Sequence, residues 1–324
     1  GSTLALMAAP GAPASPLAQV ALAAPLPNAG AASALVHLTL QPALPGRNAA
    51  TMWVTDAAGA LPADLPAIQL RFSPLDHAAP PAALAPPLDP NDGARAGVVD
   101  LPGAGWWAVE ATVTPHDGPA MRTTLYLILP DPNVTGAGPL PPDDPHAKAV
   151  FERGLAGMTS LKNVRFAQTL GDGGGSVYTS QSVVTTNPPA FEERSANATV
   201  IVADGQQWIK AGDAPWSVSP AAAVPLPSTW GDAYTPVAGF RLGPVETIDG
   251  EPCQVVTFYH LNEVGRQWAP TWYAWWVGTD SGRVRREAMV STRHYMIYDY
   301  SGFDEPATIE PPADANAPGA TPEP

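Results

Sequence analysis

Cysteine is almost missing from this chain of 324 residues: Cys253 stands alone, so no internal disulfide forms and a structural zinc cluster has no ligands to draw on. Lysine is nearly as scarce, with only Lys148, Lys162 and Lys210, and 16 basic residues face 30 acidic ones for a net charge of −14. Without a basic stripe there is nothing to release counterions from a phosphate backbone, which argues against nucleic acid and anionic membrane surfaces as partners. Long apolar runs are lacking too. The uncharged, Ala/Pro-rich Thr3–Ala34 is interrupted by Pro10, Pro13, Pro16, Pro25 and Pro27 and does not reach the ~18 apolar residues of a spanning helix. Signatures of chemistry are also absent: no GxSxG, no HExxH, no Gly-rich dinucleotide loop and no phosphate loop. The Gly171-Asp172-Gly173-Gly174-Gly175 run lies between two strand-like segments with no lysine or helix after it, and reads as a hairpin. Nothing in the spacing singles out a Ser/His/Asp triad, so the sequence leans away from an enzyme.

What the chain has in excess is proline and glycine, 40 and 29 residues, alongside 45% apolar residues. That combination describes a loop-rich chain that still has enough apolar surface for a core. Its length suits two domains. Gly1-Ser2 resembles the remnant of a cleaved tag, and residues 1–34 are expected to form a disordered tether. The tether belongs either to a membrane protein, as the stub after an upstream segment, or to a free-standing secreted one.

From Leu35 short alternating runs begin: Leu35–Leu40, Ala50–Thr55, Ala67–Phe72, Ala96–Leu101, Trp106–Val113 and Met121–Leu129. Turn signals separate them at Pro45-Gly46-Arg47-Asn48, Asp56-Ala57-Ala58-Gly59, Asn91-Asp92-Gly93 and His116-Asp117-Gly118. This pattern predicts an immunoglobulin-like β-sandwich over 35–129, with Trp106 or Trp107 as the core aromatic. Residues 130–142, with five prolines and two glycines, predict a linker. Asp143-Asp144-Pro145 then starts a helix with a carboxylate cap and proline in its first turn. Ala147, Phe151, Leu155 and Met158, with Val150, Gly154, Gly157 and Leu161 beside them, give it one broad apolar face.

Strand-like runs resume at Val164–Leu170, Ser176–Thr185, Phe191–Arg194, Thr199–Ala203 and Gln207–Lys210. The Pro-rich Ala214–Pro236, carrying Trp216 and Trp230, is long for a connection and reads as a lid or binding element. Val245–Phe303 then supplies four strand-like runs of a meander. One of them, Thr271–Val277, is apolar on both faces: Trp272, Ala274 and Trp276 alternate with Tyr273, Trp275 and Val277. A strand of that kind is covered twice, with the helix as one cover and a core or ligand as the other. Residues 306–324 form an acidic, Pro-rich tail expected to lie loose on the surface.

Two resemblances follow from the order of these signals. The first strand leading to Pro42…Pro45-Gly46-Arg47-Asn48, the Asp-x-x-Gly turn, the strand ending at Pro74-Leu75-Asp76 and the late Leu101-Pro102-Gly103-x-Gly105-Trp106-Trp107 resemble YtkA-type domains. Those small sandwiches accompany CopC/CopD-type copper-resistance membrane proteins. The region 143–305 resembles the LolA/LppX-type lipoprotein fold, through Ala156-Gly157-Met158-Thr159-Ser160-Leu161, the Val200–Trp208 strand-turn-strand and Val245–Val256. The expected architecture is therefore mainly β: an immunoglobulin-like β-sandwich plus a curved antiparallel half-barrel sheet with a packed N-terminal helix. The expected setting is extracytoplasmic, as the ectodomain of a membrane-anchored bacterial protein.

Function candidates are of three kinds. Seven of the ten tryptophans lie from Trp208 onward, namely that one and Trp216, Trp230, Trp268, Trp272, Trp275 and Trp276. Such aromatic area suits either a cavity for an apolar, lipid-like ligand or a packed core. In the cavity reading Trp216, Trp230, Phe258, Trp272, Trp276 and Met289 line the site, with Arg285 at its mouth for an anionic head group. The alternative for Arg283, Arg285 and Glu287 is an outward face of paired charges. A second candidate is copper, no other cofactor being implied, with His77, His116 and Met121 sharing one end of the sandwich, or His37 meeting Met52 on neighbouring strands. Solvated loop histidines and core methionines explain the same residues. Scaffolding for protein contacts is the third. Cys253 reads as a small buried hydrophobe, and Asn133-Val134-Thr135 and Asn197-Ala198-Thr199 as chance glycosylation patterns.

Overall fold

Short alternating runs broken by proline and glycine leave room for little helix, and the chain folds as strands. The computed structural model describes residues 19–26, 34–56, 58–62, 66–87, 93–131, 140–171, 177–221, 223–264, 267–291 and 294–316. The Asp172–Gly175 run, the Asn133 sequon, most of the linker and both chain ends lie outside the described residues, as do the side chains of Trp268 and His294.

The N-terminal unit contains β1 (Val20–Pro25), β2 (Leu35–Gln41), β3 (Gly46–Thr55), β4 (Ala67–Pro74), β5 (Ala82–Leu84), β6 (Arg95–Leu101), β7 (Gly105–Thr114) and β8 (Met121–Leu129). They build two antiparallel four-stranded sheets, ordered β1-β2-β3-β6 and β5-β4-β7-β8. On β4, buried Ile68, Leu70 and Phe72 alternate with exposed Ala67, Gln69 and Arg71, the pattern of a half-covered sheet. Two expectations change here. Val20–Pro25, placed in the tether, is a strand, because Leu22 and Ala24 find buried places against the sandwich core while pairing with β2. Gly46 and Asn48, placed in a turn, begin β3. Asn48 is fully buried, accepting from the Ala43 N–H and donating to the carbonyls of Leu44 and Gly46, so the turn tightens upstream of it.

The second unit opens with α1 (Pro145–Thr159) and continues through β9 (Asn163–Gly171), β10 (Val177–Thr186), β11 (Pro189–Ser195), β12 (Ala198–Ala203), β13 (Gln206–Ala211) and β14 (Ser217–Pro220). A 3-10 helix, Pro227–Tyr234, leads into β15 (Val237–Ile248), β16 (Glu251–Val264), β17 (Gln267–Gly278), β18 (Val284–Ser291) and β19 (His294–Ser301). All eleven strands form one open antiparallel sheet, ordered β14-β13-β12-β11-β10-β9-β19-β18-β17-β16-β15. The chain closes on itself in the middle, where the last strand pairs with the first. No helix among the described residues is long and apolar enough to cross a membrane.

The start of α1 follows its sequence. Asp144 caps the helix by accepting from the His146 N–H at 2.8 Å. Asp143 reaches away to accept from the backbone N–H groups of Gly239 and Phe240 at 2.6 and 3.3 Å, which ties the helix entry to β15. Its buried face, Ala147, Phe151, Gly154 and Met158, lies across the β15–β18 half of the sheet. Phe151 is the centre of that contact, with ring centroids 5.1 Å from Phe240, 4.7 Å from Phe258 and 5.0 Å from Trp275.

On β17 the two apolar faces separate as alternation requires. Trp275 and Val277 belong to the helix-side core, while Trp272, Ala274 and Trp276 belong to the core shared with the sandwich. The second cover of this strand is therefore the N-terminal unit. Its sheet β5-β4-β7-β8 presents Trp106 and Tyr126 outward, and the Tyr126 ring meets Trp276 at 5.1 Å. Both Trp106 and Trp107 are fully buried, because β7 too is covered on both faces at this end. Polar groups clasp the joint. Asp76 accepts from the Trp106 N–H at 2.8 Å and from the Thr257 hydroxyl at 3.0 Å, and Arg286 donates to the Tyr126 oxygen at 3.3 Å. The tail is not wholly loose either. Ile309 and Ala315 bury themselves against Ala190, Ile201, Ala203 and Trp208, apolar residues on the face of β11–β13 opposite α1.

Two substitutions test this packing. A Cβ at Gly157 would lie 2.3 Å from the Gly282 carbonyl oxygen, so Gly157→Ala should lose roughly 1–3 kcal/mol in urea denaturation. Helix propensity alone predicts a gain of about 1 kcal/mol, and a measured gain would contradict the contact. Trp276→Ala should cost about 3–5 kcal/mol, with loss of both the apolar joint and the 2.7 Å bond from its indole N–H to Glu246.

Candidate functional site

The sheet is far wider than its cover. Eleven strands about 4.8 Å apart span about 48 Å, whereas 15 helical residues make α1 only about 22 Å long. α1 sits over β15–β18, and the 3-10 helix carries Trp230, Ala233 and Tyr234 over the middle. Between that segment and the strands β9–β11 and β17–β19 lies a groove of about 420 Å³. Seven aromatic rings line it (Phe166, Phe191, Trp230, Tyr234, Tyr273, Tyr298 and Tyr300), together with Met289 and Met296.

Strand register explains the convergence. Tyr273 pairs with Met289 and Met289 with Met296, so these three side chains stand in one row across β17, β18 and β19. Trp275, Glu287 and Tyr298 form the next row. Tyr298 and Tyr300 are two residues apart on one strand, and their rings stack at 6.0 Å. The Gln168 amide donates to the Tyr298 hydroxyl at 2.9 Å and fixes its orientation.

Glu287 is the polar centre. It is only 4% exposed, and one oxygen, Oε2, accepts from the Tyr234 hydroxyl at 2.7 Å and the Trp275 indole N–H at 2.6 Å. The other oxygen, Oε1, has no hydrogen-bond partner among the described residues. Burial raises its pKa from 4.5 to about 7, against the opposing effect of the two donated hydrogen bonds. The surrounding phenols are held neutral. Burial first, and the Glu287 charge second, push Tyr234, Tyr273 and Tyr300 well above the usual phenol range and Tyr298 to about 12.

The residues predicted from sequence are divided by this geometry. Trp230 and Met289 line the groove. Phe258 does not; it is fully buried beneath α1, between Phe151, Phe240 and Tyr273. Trp272 and Trp276 face the sandwich, on the other side of the sheet. Trp216 also lies on the side away from the groove, packed on the Trp208 cluster with the Lys210 ammonium 5.9 Å above its ring. Arg285 is engaged elsewhere, paired with Asp249 at 3.3 Å and Glu251 at 3.6 Å and lying 5.1 Å over Phe303. Glu287, placed by one reading on an outward charged face, points into the groove because its partner across the ladder is the buried Trp275.

Of the proposed copper ligands, His77 is set apart from His116 and Met121. His77 packs beside Gly105 at the start of β7, its ring 4.9 Å from Trp107 and its Nδ1 3.1 Å from Asp76. His116 is exposed beyond Thr114, at the other end of a ten-residue strand about 30 Å long, and Met121 pairs with Val113 beside it. His37 stacks on Trp53 and bonds Thr55, on the opposite face from the fully buried Met52. Among the described residues no group of three His, Cys, Asp or Glu is placed to hold a metal ion. Cys253 is a fully buried thiol.

The second unit is thus a half-barrel: an open, curved antiparallel sheet with one helix and a groove on the same face. Solved structures similar to part of the chain are the lipoprotein LppX of Mycobacterium tuberculosis (17% identity, TM-score 0.41, covering 52% of this chain and 100% of that one), LprF of Mycobacterium bovis (14%, 0.42, 54% and 99%) and a LolA superfamily protein of Nitrosomonas europaea (13%, 0.25, 48% and 91%). No protein-family model matches the sequence, and no curated protein matches it. Likeness at this level concerns the fold and names no ligand for this chain.

Glu287 gives a pH test. Its folded pKa lies above its unfolded one, so between 4.5 and about 7 the folded state binds the extra proton and stability falls as pH rises. Urea denaturation should show roughly 2–3 kcal/mol less stability at about pH 8 than at about pH 5 from this group. Glu287→Gln should remove that component, and an unchanged slope would place the titration elsewhere.

Proposed function

We propose that the protein is a non-enzymatic, extracytoplasmic binding module whose half-barrel groove holds an apolar or amphiphilic small molecule of lipid-like character. The observation that carries this reading is a groove of about 420 Å³ walled by aromatic rings and two methionines, on a sheet face that the single helix is too short to cover. Volumes of about 300–1,000 Å³ with apolar walls and a few oriented polar groups are what small-molecule sites have. We take the sandwich as a rigid backing for the strands that form the groove floor. The YtkA-type resemblance, and the setting of a membrane-anchored protein of copper-resistance type, belong to the same proposal as context. His77 lies at the opposite end of β7 from His116 and Met121, so the three do not meet in one copper site.

The neutral fluorophore N-phenyl-1-naphthylamine tests the reading directly. It should bind with enhanced, blue-shifted emission, and Met289→Trp, which fills the groove, should weaken it about tenfold or more. Trp216→Ala, on the other side of the sheet, should leave binding intact. Absence of binding, or indifference to Met289→Trp, would refute an apolar site here.

A further inference from the structure

The groove's lining has a charge pattern that its apolar character conceals. Among the described residues it includes two carboxylates, Glu193 and Glu287, and no lysine, arginine or histidine. Glu193 stands at β11, where the Tyr178 hydroxyl holds its Oε1 at 2.8 Å. Glu287 lies under the 3-10 helix, almost wholly buried, with both of its donors on Oε2 and no partner for Oε1 among the described residues. Buried carboxylates without a counter-charge are costly, and a carboxylate in the wall of an open groove with one oxygen unused by its neighbours is a place for a ligand group.

From this we propose that the groove selects an amphiphile with a cationic head group, an alkylammonium, whose charge is met by Glu287 and the surrounding aromatic faces while its chain lies along the apolar walls. The inference rests on the binding reading above and names the ligand class for that site. An anionic head is disfavoured on the same grounds: it would meet two carboxylates and no base, since Arg285 is occupied with Asp249 and Glu251. Tyr273, Tyr298, Tyr300 and Trp230 supply aromatic rings to the lining, and aromatic rings attract cations in a desolvated site. Methionines 289 and 296 add polarizable walls that accommodate chain or methyl groups without fixing one shape.

The groups facing Glu287 come from each packed element: Tyr234 on the 3-10 helix, Tyr273 and Trp275 on β17, Tyr298 and Tyr300 on β19, and Glu193 across the groove. The phenols stay neutral through the physiological range, so Glu287 governs how a permanently charged ligand responds to pH there.

Competition against N-phenyl-1-naphthylamine with matched dodecyl amphiphiles, each below its micelle concentration, tests the proposal. Dodecyltrimethylammonium should displace the probe at least about tenfold more tightly than dodecanol and more tightly still than dodecyl sulfate. Its affinity should rise about tenfold from about pH 6 to about pH 8 as Glu287 ionises. Glu287→Gln keeps the acceptor for Tyr234 and Trp275, and should bring the ratio of cationic to neutral affinity close to one and flatten the pH response. Trp216→Ala should keep both. Choline, the head without the chain, should bind at least about 100-fold more weakly than the dodecyl compound. If the probe binds and the three dodecyl amphiphiles compete equally, or the sulfate competes best, the cationic head is wrong while the apolar site stands. Equal binding by choline would overturn the amphiphile in favour of a small cation. Failure of the probe to bind at all would strike the underlying reading instead.

Discussion

Every other feature of this molecule depends on the need of a broad, two-sided apolar sheet for covers on both faces. An open sheet of eleven strands has more apolar surface than one helix of fifteen residues can bury, and exposed apolar surface of that extent is not tolerated in an isolated unit. The chain meets the demand with unlike covers. Phe151 and its helix close one face over β15–β18, the sandwich closes the other over Trp272 and Trp276, and the tail residues Ile309 and Ala315 cover the outer side of β11–β13. Among the described residues, the helix-side surface around Met289, Met296 and Tyr298 is covered only in part, by the 3-10 helix, and there the groove appears.

The two units are consequently one mechanical body. Their hydrophobic cores run together through Trp106, Tyr126, Trp276 and Tyr259, and the polar clasp at Asp76 is buried with its acceptors occupied by Trp106, His77 and Thr257. Asp76 sits at the end of β4, where a sandwich loop normally faces water. Here it is a structural carboxylate, and the neighbouring His77, which had the look of a metal ligand, is its packing partner.

Much of the fold is legible in the sequence because local signals and final structure agree. Met121–Leu129 is a strand over the range its alternation marks, Asp144 caps the helix it announces, and the double apolarity of Thr271–Val277 does mean two covers. The identity of the second cover was hidden because it lies more than a hundred residues away in sequence, and periodicity carries no information about partners. For the same reason Trp272 and Trp276 read as cavity walls: aromatic composition is identical for a joint between units and a ligand site. Glu287 is obscured by its neighbours, since Arg283 and Arg285 suggest an outward face of paired charges. Only the register, which sets it opposite Trp275, reveals that it is inside. On β19 Met296, Tyr298 and Tyr300 alternate along the strand, and which side the helix leaves open decides that they line the groove.

Arg286 and Glu287, consecutive residues, point to opposite sides of β18, one to Tyr126 and Asp299, the other to the groove. The strand thus has its back pinned by the sandwich while its front meets whatever occupies the groove. A binding floor held in this way loses little conformational freedom when a ligand arrives, and each side chain already immobilised spares about 0.5–1.5 kcal/mol of ordering. If the groove binds as proposed, the sandwich acts on its occupant from a distance. On the proposed function it holds the back of β18 through Arg286 and Tyr126, while Gln168, Tyr234 and Trp275 orient the groove side chains, so residues that never touch the groove contribute to its shape.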